Sequence, residues 1–154
     1  MPDEGLAATY QATVPVDHSQ FAVFDYLGDA VLTDLRPAQS EWLVAAGYGG
    51  AVFHAWDKAL EASVTLELWR SEPPADMPTE AEAQAPDQRF FSPSGTVTIC
   101  AVIASASDRN AELLGPGHYV LRARRTRTRD ITEDGDELRG EDWLLQVWPD
   151  RSDA

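Results

Sequence analysis

Apolar and polar residues alternate with a period of two in seven short segments of the chain, and no other pattern in the sequence limits the fold as strongly. Each segment is rich in β-branched or aromatic residues and is bounded by turn formers. Successive side chains of a strand point to opposite faces, so each segment predicts a strand. Seven strands with few helices predict two packed sheets, an antiparallel β-sandwich. The segments are residues 9–14, 20–24, 51–56, 62–69, 96–104, 118–125 and 143–148.

Three of these strands also predict which side chains enter the core, because their apolar residues fall on one face. Trp69 lies out of phase with the core positions of its own strand, so it faces either solvent or a neighbouring layer. The predicted core positions are Val64, Leu66 and Leu68, then Tyr119, Leu121 and Ala123, and finally Trp143, Leu145 and Val147.

Two short helices are predicted between the strands. Residues 39–46 follow Pro37, and residues 109–114 follow Ser107 and Asp108, either of which can serve as an N-cap. At 154 residues, the chain has the length of a single domain, 1–154.

Two acidic stretches predict connections. Residues 71–87 hold four prolines, five acidic residues and no basic residue, which is typical of a long loop. Residues 130–142 have Asp134 and Gly135 at their centre, which predicts a hairpin loop between the last two strands.

Negative charge is concentrated in the first 88 residues, where fifteen acidic residues outnumber three basic ones and give a net charge of −12. The whole chain carries −14. Such a surface repels nucleic acid and anionic membranes and attracts basic proteins. A solvated surface that keeps the protein soluble would have the same composition, so charge alone leaves both interpretations open.

Neither a signal peptide nor a membrane span is predicted, because the chain lacks a basic start followed by an apolar stretch and lacks an apolar run of 18 residues. We therefore expect a cytoplasmic protein. The single Cys100 lies in the apolar run 96–103, where a small buried hydrophobic residue is expected rather than a reactive thiol.

Catalytic and metal-binding patterns are weak in this sequence. Asp17, His18 and Ser19 are adjacent, whereas a working triad assembles its members from separate segments, so a turn is expected there. One cysteine and three separated histidines do not favour zinc. The acidic residues between 130 and 137 lack the spacing of an EF-hand calcium loop. We expect no enzyme activity, no cofactor and no metal.

Five of the twelve basic residues lie between positions 122 and 129. The acidic stretch that follows them predicts ion pairs across a hairpin rather than a contact with nucleic acid. Trp42 and Trp69 are candidates either for anchors of a protein interface or for burial against a second layer. The five basic residues are Arg122, Arg124, Arg125, Arg127 and Arg129.

Four segments in this order resemble the competence protein J (ComJ) family over about residues 8 to 149. They are His-Ser-Gln-Phe-Ala-Val-Phe at 18–24, the stretch 42–50 that leads into a strand, Gly-His-Tyr-Val-Leu at 117–121 and Asp-Trp-Leu-Leu-Gln-Val at 142–147. The resemblance implies a small β-sandwich-like protein that binds and inhibits a DNA-degrading nuclease.

An acidic inhibitor that covers a basic DNA-binding cleft agrees with the charge distribution. On this hypothesis Asp25, Asp29, Asp34 and Glu41 take the positions of DNA phosphates, and Trp42 anchors the contact. The partner would be the cell's own nuclease or a delivered toxin, for which the protein would be the immunity protein. The alternative functions are a β-sandwich module that binds calcium or another small ligand, and an enzyme.

Overall fold

The computed structural model describes residues 5–16, 20–25, 44–47, 49–54, 61–73, 83–84, 87–101, 109–133 and 136–150. Within these residues the chain forms eleven β-strands and no helix, and therefore no helix that could cross a bilayer. The strands are β1 (Leu6–Pro15), β2 (Gln20–Phe24), β3 (Val44–Gly47), β4 (Gly50–His54), β5 (Glu61–Trp69), β6 (Ala83–Gln84), β7 (Gln88–Ser92), β8 (Thr96–Ala101), β9 (Arg109–Glu112), β10 (Gly117–Glu133) and β11 (Asp136–Pro149).

The described strands form two sheets, which confirms the predicted two-sheet fold. The larger sheet has the order β1-β5-β11-β10, and both β6 and β7 pair with the far side of β10. The smaller sheet has the order β3-β4-β2-β8-β9. All described pairs are antiparallel as predicted except one, because β5 and β11 pair in parallel. These two strands are far apart in sequence, so no tight turn forces them to run in opposite directions.

The core lies between the two sheets, where the predicted core positions are confirmed as buried. Alternate residues of β5, β10 and β11 face the smaller sheet from the larger one. The Phe21 and Phe53 rings of the smaller sheet stack with centroids 4.9 Å apart. The Trp143 ring of the larger sheet meets them edge-on, at 5.2 and 5.9 Å respectively. This aromatic cluster joins the sheets.

Both predicted helices were wrong where the structure describes them. Residues 109–112 are β9, an edge strand of which only Ala111 is buried, and β9 pairs with β8. Residues 44–46 belong to β3, while 39–43 lie outside the described residues. Pairing with a neighbouring strand outweighs a local capping signal. The turn between β3 and β4 needs glycine, since Gly50 has a φ of 149° and a Cβ there would lie 2.2 Å from the Val23 carbonyl oxygen.

Both predicted loops contain strands. Glu133 of β10 pairs with Asp136 of β11, so the hairpin connection is two residues long and the supposed loop 130–142 is mostly strand. Beyond the main sheet, residues 130–133 and 136–139 pair only with each other among the described residues. We call these residues the hairpin arm. Within 71–87, residues 83 and 84 form β6 against β10. Backbone pairing requires no apolar alternation, so strands rich in charge escape a search for that pattern.

Candidate functional site

The outer face of the larger sheet carries polar and charged residues that are nevertheless buried. Arg122 and Arg124 lie on β10 at the positions between core residues, and they are 6% and 4% exposed. On β11, Gln146 and Trp148 alternate with the core in the same way and are buried too. Buried polar groups need partners within the protein.

Arg122 is the centre of the first group of contacts on this face. Its Nε and Nη2 donate to the two carboxylate oxygens of Asp87, each at 3.2 Å, and Nη2 also donates to Glu72 Oε2 at 3.2 Å. The guanidinium carbon lies 4.9 Å from the centre of the Trp148 ring. We call these four residues the Arg122 cluster. Hydrogen bonds and charge from Asp87, followed by those from Glu72, raise the pKa of Arg122.

The Arg122 cluster ties a connection to the sheet. Glu72 lies just after β5 and Asp87 just before β7, so one arginine holds both ends of the segment that joins these strands. Pro73, next to Glu72, is buried as well. The Glu72 and Asp87 side chains are 60% and 40% exposed, so solvent screens their attraction to the guanidinium. The bidentate bond with Asp87 still sets the direction of the Arg122 side chain.

Glu67 organises a second group on the same face. Its Oε1 accepts hydrogen bonds from Trp69 Nε1 at 3.0 Å and from Gln146 Nε2 at 3.1 Å. Trp69 is buried, with its indole N–H satisfied. Of the two alternatives that the sequence left open for Trp69, burial is therefore the one that the structure shows.

Asp25 was predicted as a partner contact, and the structure places it inside the protein at 1% exposure. Its carboxylate accepts hydrogen bonds from Ser92 Oγ at 2.7 Å and from Ser94 N and Ser94 Oγ, both at 2.9 Å. Its backbone N–H donates to the Gly49 carbonyl at 2.7 Å. Asp25 thus holds the turn between β7 and β8. The other predicted contacts, Asp29, Asp34, Glu41 and Trp42, lie outside the described residues, and their role stays a prediction.

The positive charge of the arginine-rich part of β10 is balanced by carboxylates partly as predicted. Arg127 lies opposite Asp142 in the hairpin register, and Arg125 Nε is 3.8 Å from Glu141 Oε2. Glu141 is fully buried and also accepts a hydrogen bond from Trp143 Nε1 at 3.0 Å. Arg122, however, takes its carboxylates from the segment after β5 rather than from the hairpin. The sequence signal for this contact was the segment 71–87, which holds acidic residues and no basic one and which precedes the arginine-rich strand.

A catalytic histidine usually contacts a carboxylate or another reactive group, and His54 and His118 can be tested for such a contact. The Gln20 amide nitrogen lies 3.4 Å from His54 Nε2, and burial lowers the pKa of His54. The His118 ring packs on Phe91 with centroids 4.8 Å apart. In the described part of the chain, neither histidine is hydrogen-bonded to a carboxylate, and no three metal-ligating residues lie together. His18 is outside that part.

The outer side of β1 and β5 forms a groove. It measures about 220 Å³ and is lined by Gln11, Ala12, Thr13, Ser63 and Thr65. Its polar groups are hydroxyls and one amide, which can bind a neutral polar ligand but supply no acid or base near neutral pH.

The geometry defines a two-sheet β-protein in which one outer face is buried through ion pairs and aromatic contacts. Two solved structures share this fold. ComJ from Bacillus subtilis, an inhibitor of the DNA degrading activity of NucA, is 14% identical with a TM-score of 0.57, and the match covers 94% of this chain and 97% of ComJ. The product of crocagin biosynthetic gene J is 18% identical with a TM-score of 0.58, covering 94% and 100%. The chain therefore has a ComJ-like fold. No protein-family model and no curated protein sequence matches it.

Proposed function

We propose that this protein binds a basic nuclease and inhibits it. The observation that carries the proposal is the ComJ-like fold over 94% of the chain, because ComJ is an inhibitor of the DNA degrading activity of a nuclease. The net charge of −14 supports it independently, since a nuclease that binds DNA presents a positive surface. We place the protein in the cytoplasm on the basis of its sequence.

The proposed mechanism is competition with DNA and involves no chemical step. Carboxylates of the inhibitor occupy the positions of DNA phosphates in the nuclease cleft, so the association is fast and weakens as salt is added. Asp29, Asp34 and Glu41 are the proposed carboxylates, with Trp42 as the aromatic anchor. Asp25 is reassigned to the support of the turn at 92–95, because its carboxylate is buried.

The hairpin arm adds a second set of carboxylates to this proposal. Residues 130–137 hold five acidic residues and no basic one. The arm pairs only with itself among the described residues. This local excess of negative charge can attract the same basic surface.

The first experiment mixes the purified protein with a panel of basic nucleases, beginning with any encoded next to it. DNA cleavage and complex formation are measured at low and moderate salt. We expect inhibition at one inhibitor per nuclease that weakens as the salt concentration rises. No complex with any nuclease of the panel would contradict the proposal.

Substitutions then locate the interface. Asn or Gln in place of Asp29, Asp34 and Glu41 should each slow association several-fold, and Trp42→Ala should accelerate dissociation. Glu112→Gln is the matched control, because Glu112 is an exposed carboxylate on the edge strand β9. Neutralising the five acidic residues at 130–137 together tests whether this end of the hairpin contributes. Inhibition unchanged in every variant would exclude both sets of carboxylates.

The groove between β1 and β5 favours a second candidate function, the binding of a small neutral ligand. Its lining of hydroxyl and amide groups is suited to hydrogen bonds with a sugar. Thermal unfolding with a panel of sugars, and separately with calcium, tests this function. A concentration-dependent rise in Tm that Thr13→Val abolishes would support binding in the groove.

A further inference from the structure

We infer that Arg124 is a binding site for a small oxyanion. Arg124 is 4% exposed, and its Nε is buried without a hydrogen-bond acceptor among the described residues. A charged group that loses its water needs an opposite charge or hydrogen bonds in compensation. For Arg124 Nε, that need is unmet within the described part of the fold.

The other buried or paired arginines of this region show what Arg124 lacks. Arg122 binds Asp87 and Glu72, Arg125 has Glu141 at 3.8 Å, and Arg89 Nε lies 2.8 Å from Asp150 Oδ2. Arg124 has Leu144 opposite it on β11 and Gln84 opposite it on β6. Neither neighbour is acidic, so no carboxylate is supplied at either cross-strand position.

A second cation lies beside the site. Arg122 precedes Arg124 by two residues on the same outer face of β10, about 6.6–6.8 Å along the strand. The Nη1 of Arg122 also has no hydrogen-bond acceptor, although its other two nitrogens are satisfied. Asp87 and Glu72 balance the charge of Arg122, so Arg122 contributes an unused hydrogen-bond donor on the same face, while Arg124 contributes the charge that attracts the anion.

The ligand class follows from the donors and from the surroundings. The planar guanidinium fork matches two oxygens of a carboxylate or a phosphate. Arg124 is almost completely buried, and the chain as a whole repels polyanions, so the ligand is a small monovalent or divalent oxyanion. The two residues of β6 make only two register pairs with β10. Because so short a strand is held weakly, we infer that a small local shift of β6 lets the ion reach Arg124.

The experiment is an NMR titration of the protein in the absence of any nuclease. Its outcome therefore does not depend on whether the protein inhibits a nuclease. The arginine Nε–Hε signals are followed while sodium phosphate, or in a second series sodium acetate, replaces sodium chloride at constant ionic strength. We expect a saturable shift of the Arg124 signal with one or both oxyanions. Arg109, which is exposed on β9, is the internal control and should not show a saturable shift.

Variants give a second readout. The oxyanion that shifts the Arg124 signal should raise the Tm of the wild type and of Arg109→Gln over the chloride reference, and it should raise the Tm of Arg124→Gln at least several-fold less. An equal rise in all three proteins, or no saturable Arg124 shift with either oxyanion, would overturn the inference. If Arg124→Gln does not fold, the titration of the wild type decides the question.

Discussion

The two sheets bury their outer faces by different means. On the smaller sheet the outward positions of the central strands are filled mainly by small residues, Ala22, Val52 and Cys100, which are all buried. The one buried hydroxyl described on this face, that of Thr98, donates to Asn110 Oδ1. On the larger sheet, Arg122, Gln146 and other polar residues are buried at the corresponding outer positions. An apolar face is stable without specific partners, whereas a polar face is stable only when each group is bonded. The larger sheet is therefore where salt, ligands and single substitutions should act most selectively.

The largest effect should come from the contact that the two sheets share. Trp143→Ala removes the ring that meets Phe21 and Phe53 and removes the indole N–H that donates to the buried Glu141. We expect a loss of about 3–5 kcal/mol in the free energy of unfolding. Urea denaturation measures it, with Leu114→Ala as the control, because Leu114 is 46% exposed. A loss below about 1 kcal/mol would show that the sheets do not depend on this contact.

The second largest loss of stability should come from the turn by which the chain passes from the larger sheet to the smaller one. Asp25 accepts hydrogen bonds from Ser92 and Ser94 at the turn between β7 in the larger sheet and β8 in the smaller one. Asp25→Asn replaces one acceptor oxygen by a donor, and we expect it to cost about 2–3 kcal/mol. Denaturation of the variant checks this value. If Asp25 instead contacted a nuclease, the variant would lose affinity at unchanged stability.

A matched pair of variants tests the two outer faces directly. Arg122→Met removes the guanidinium of the Arg122 cluster, and Val52→Thr places a hydroxyl in the apolar outer face of the smaller sheet. Each substitution should lower the free energy of unfolding by about 1–2 kcal/mol. The loss in Arg122→Met is limited because water can solvate Glu72 and Asp87, and the loss in Val52→Thr arises because the buried hydroxyl gives up its hydrogen bonds to water.

Salt should separate these two variants. Unfolding measured between low and high salt should show a smaller difference from the wild type for Arg122→Met as salt rises, because ions screen the pair in the wild type. The deficit of Val52→Thr should stay constant. The same salt response in both variants would mean that the outer faces are stabilised by the same kind of interaction.

The same contrast explains how far the sequence alone predicts this fold. Where one face is apolar and the other polar, as in β5 and the first half of β10, alternation reveals both the strand and its core residues. β9 has one buried residue and β6 has two residues in all, so neither carries a pattern long enough to be recognised. The hairpin arm is rich in charge, and its extent is determined by pairing between strands rather than by local composition.

The site residues were harder to predict, because their partners are distant in sequence. Asp25 directly follows β2, where a charged residue is expected at the surface, yet its hydrogen-bond partners are 67 and 69 residues away. Arg122 meets carboxylates 35 and 50 residues earlier. Composition predicted that the arginines would be neutralised locally, but the choice of Glu72 and Asp87 over the hairpin depends on which segment returns to the outer face of the larger sheet.

The smallest expected effect is a pH dependence on the smaller sheet, which has few charges in its described strands. Burial lowers the pKa of His54 from 6.5, so the unfolded chain takes up a proton more readily than the folded protein. The contribution of neutral His54 to stability is therefore complete above pH 6.5 and is lost as the pH falls through the lowered pKa.

The Gln20 amide adds a geometric reason for this direction. It can donate to His54 Nε2 only while that nitrogen accepts, which requires the neutral ring. We expect His54→Gln to flatten the decline in stability between about pH 6.5 and 5, measured by urea denaturation at several pH values. His118→Gln is the matched control and should retain the slope. A slope that persists in His54→Gln would have to come from groups other than this histidine.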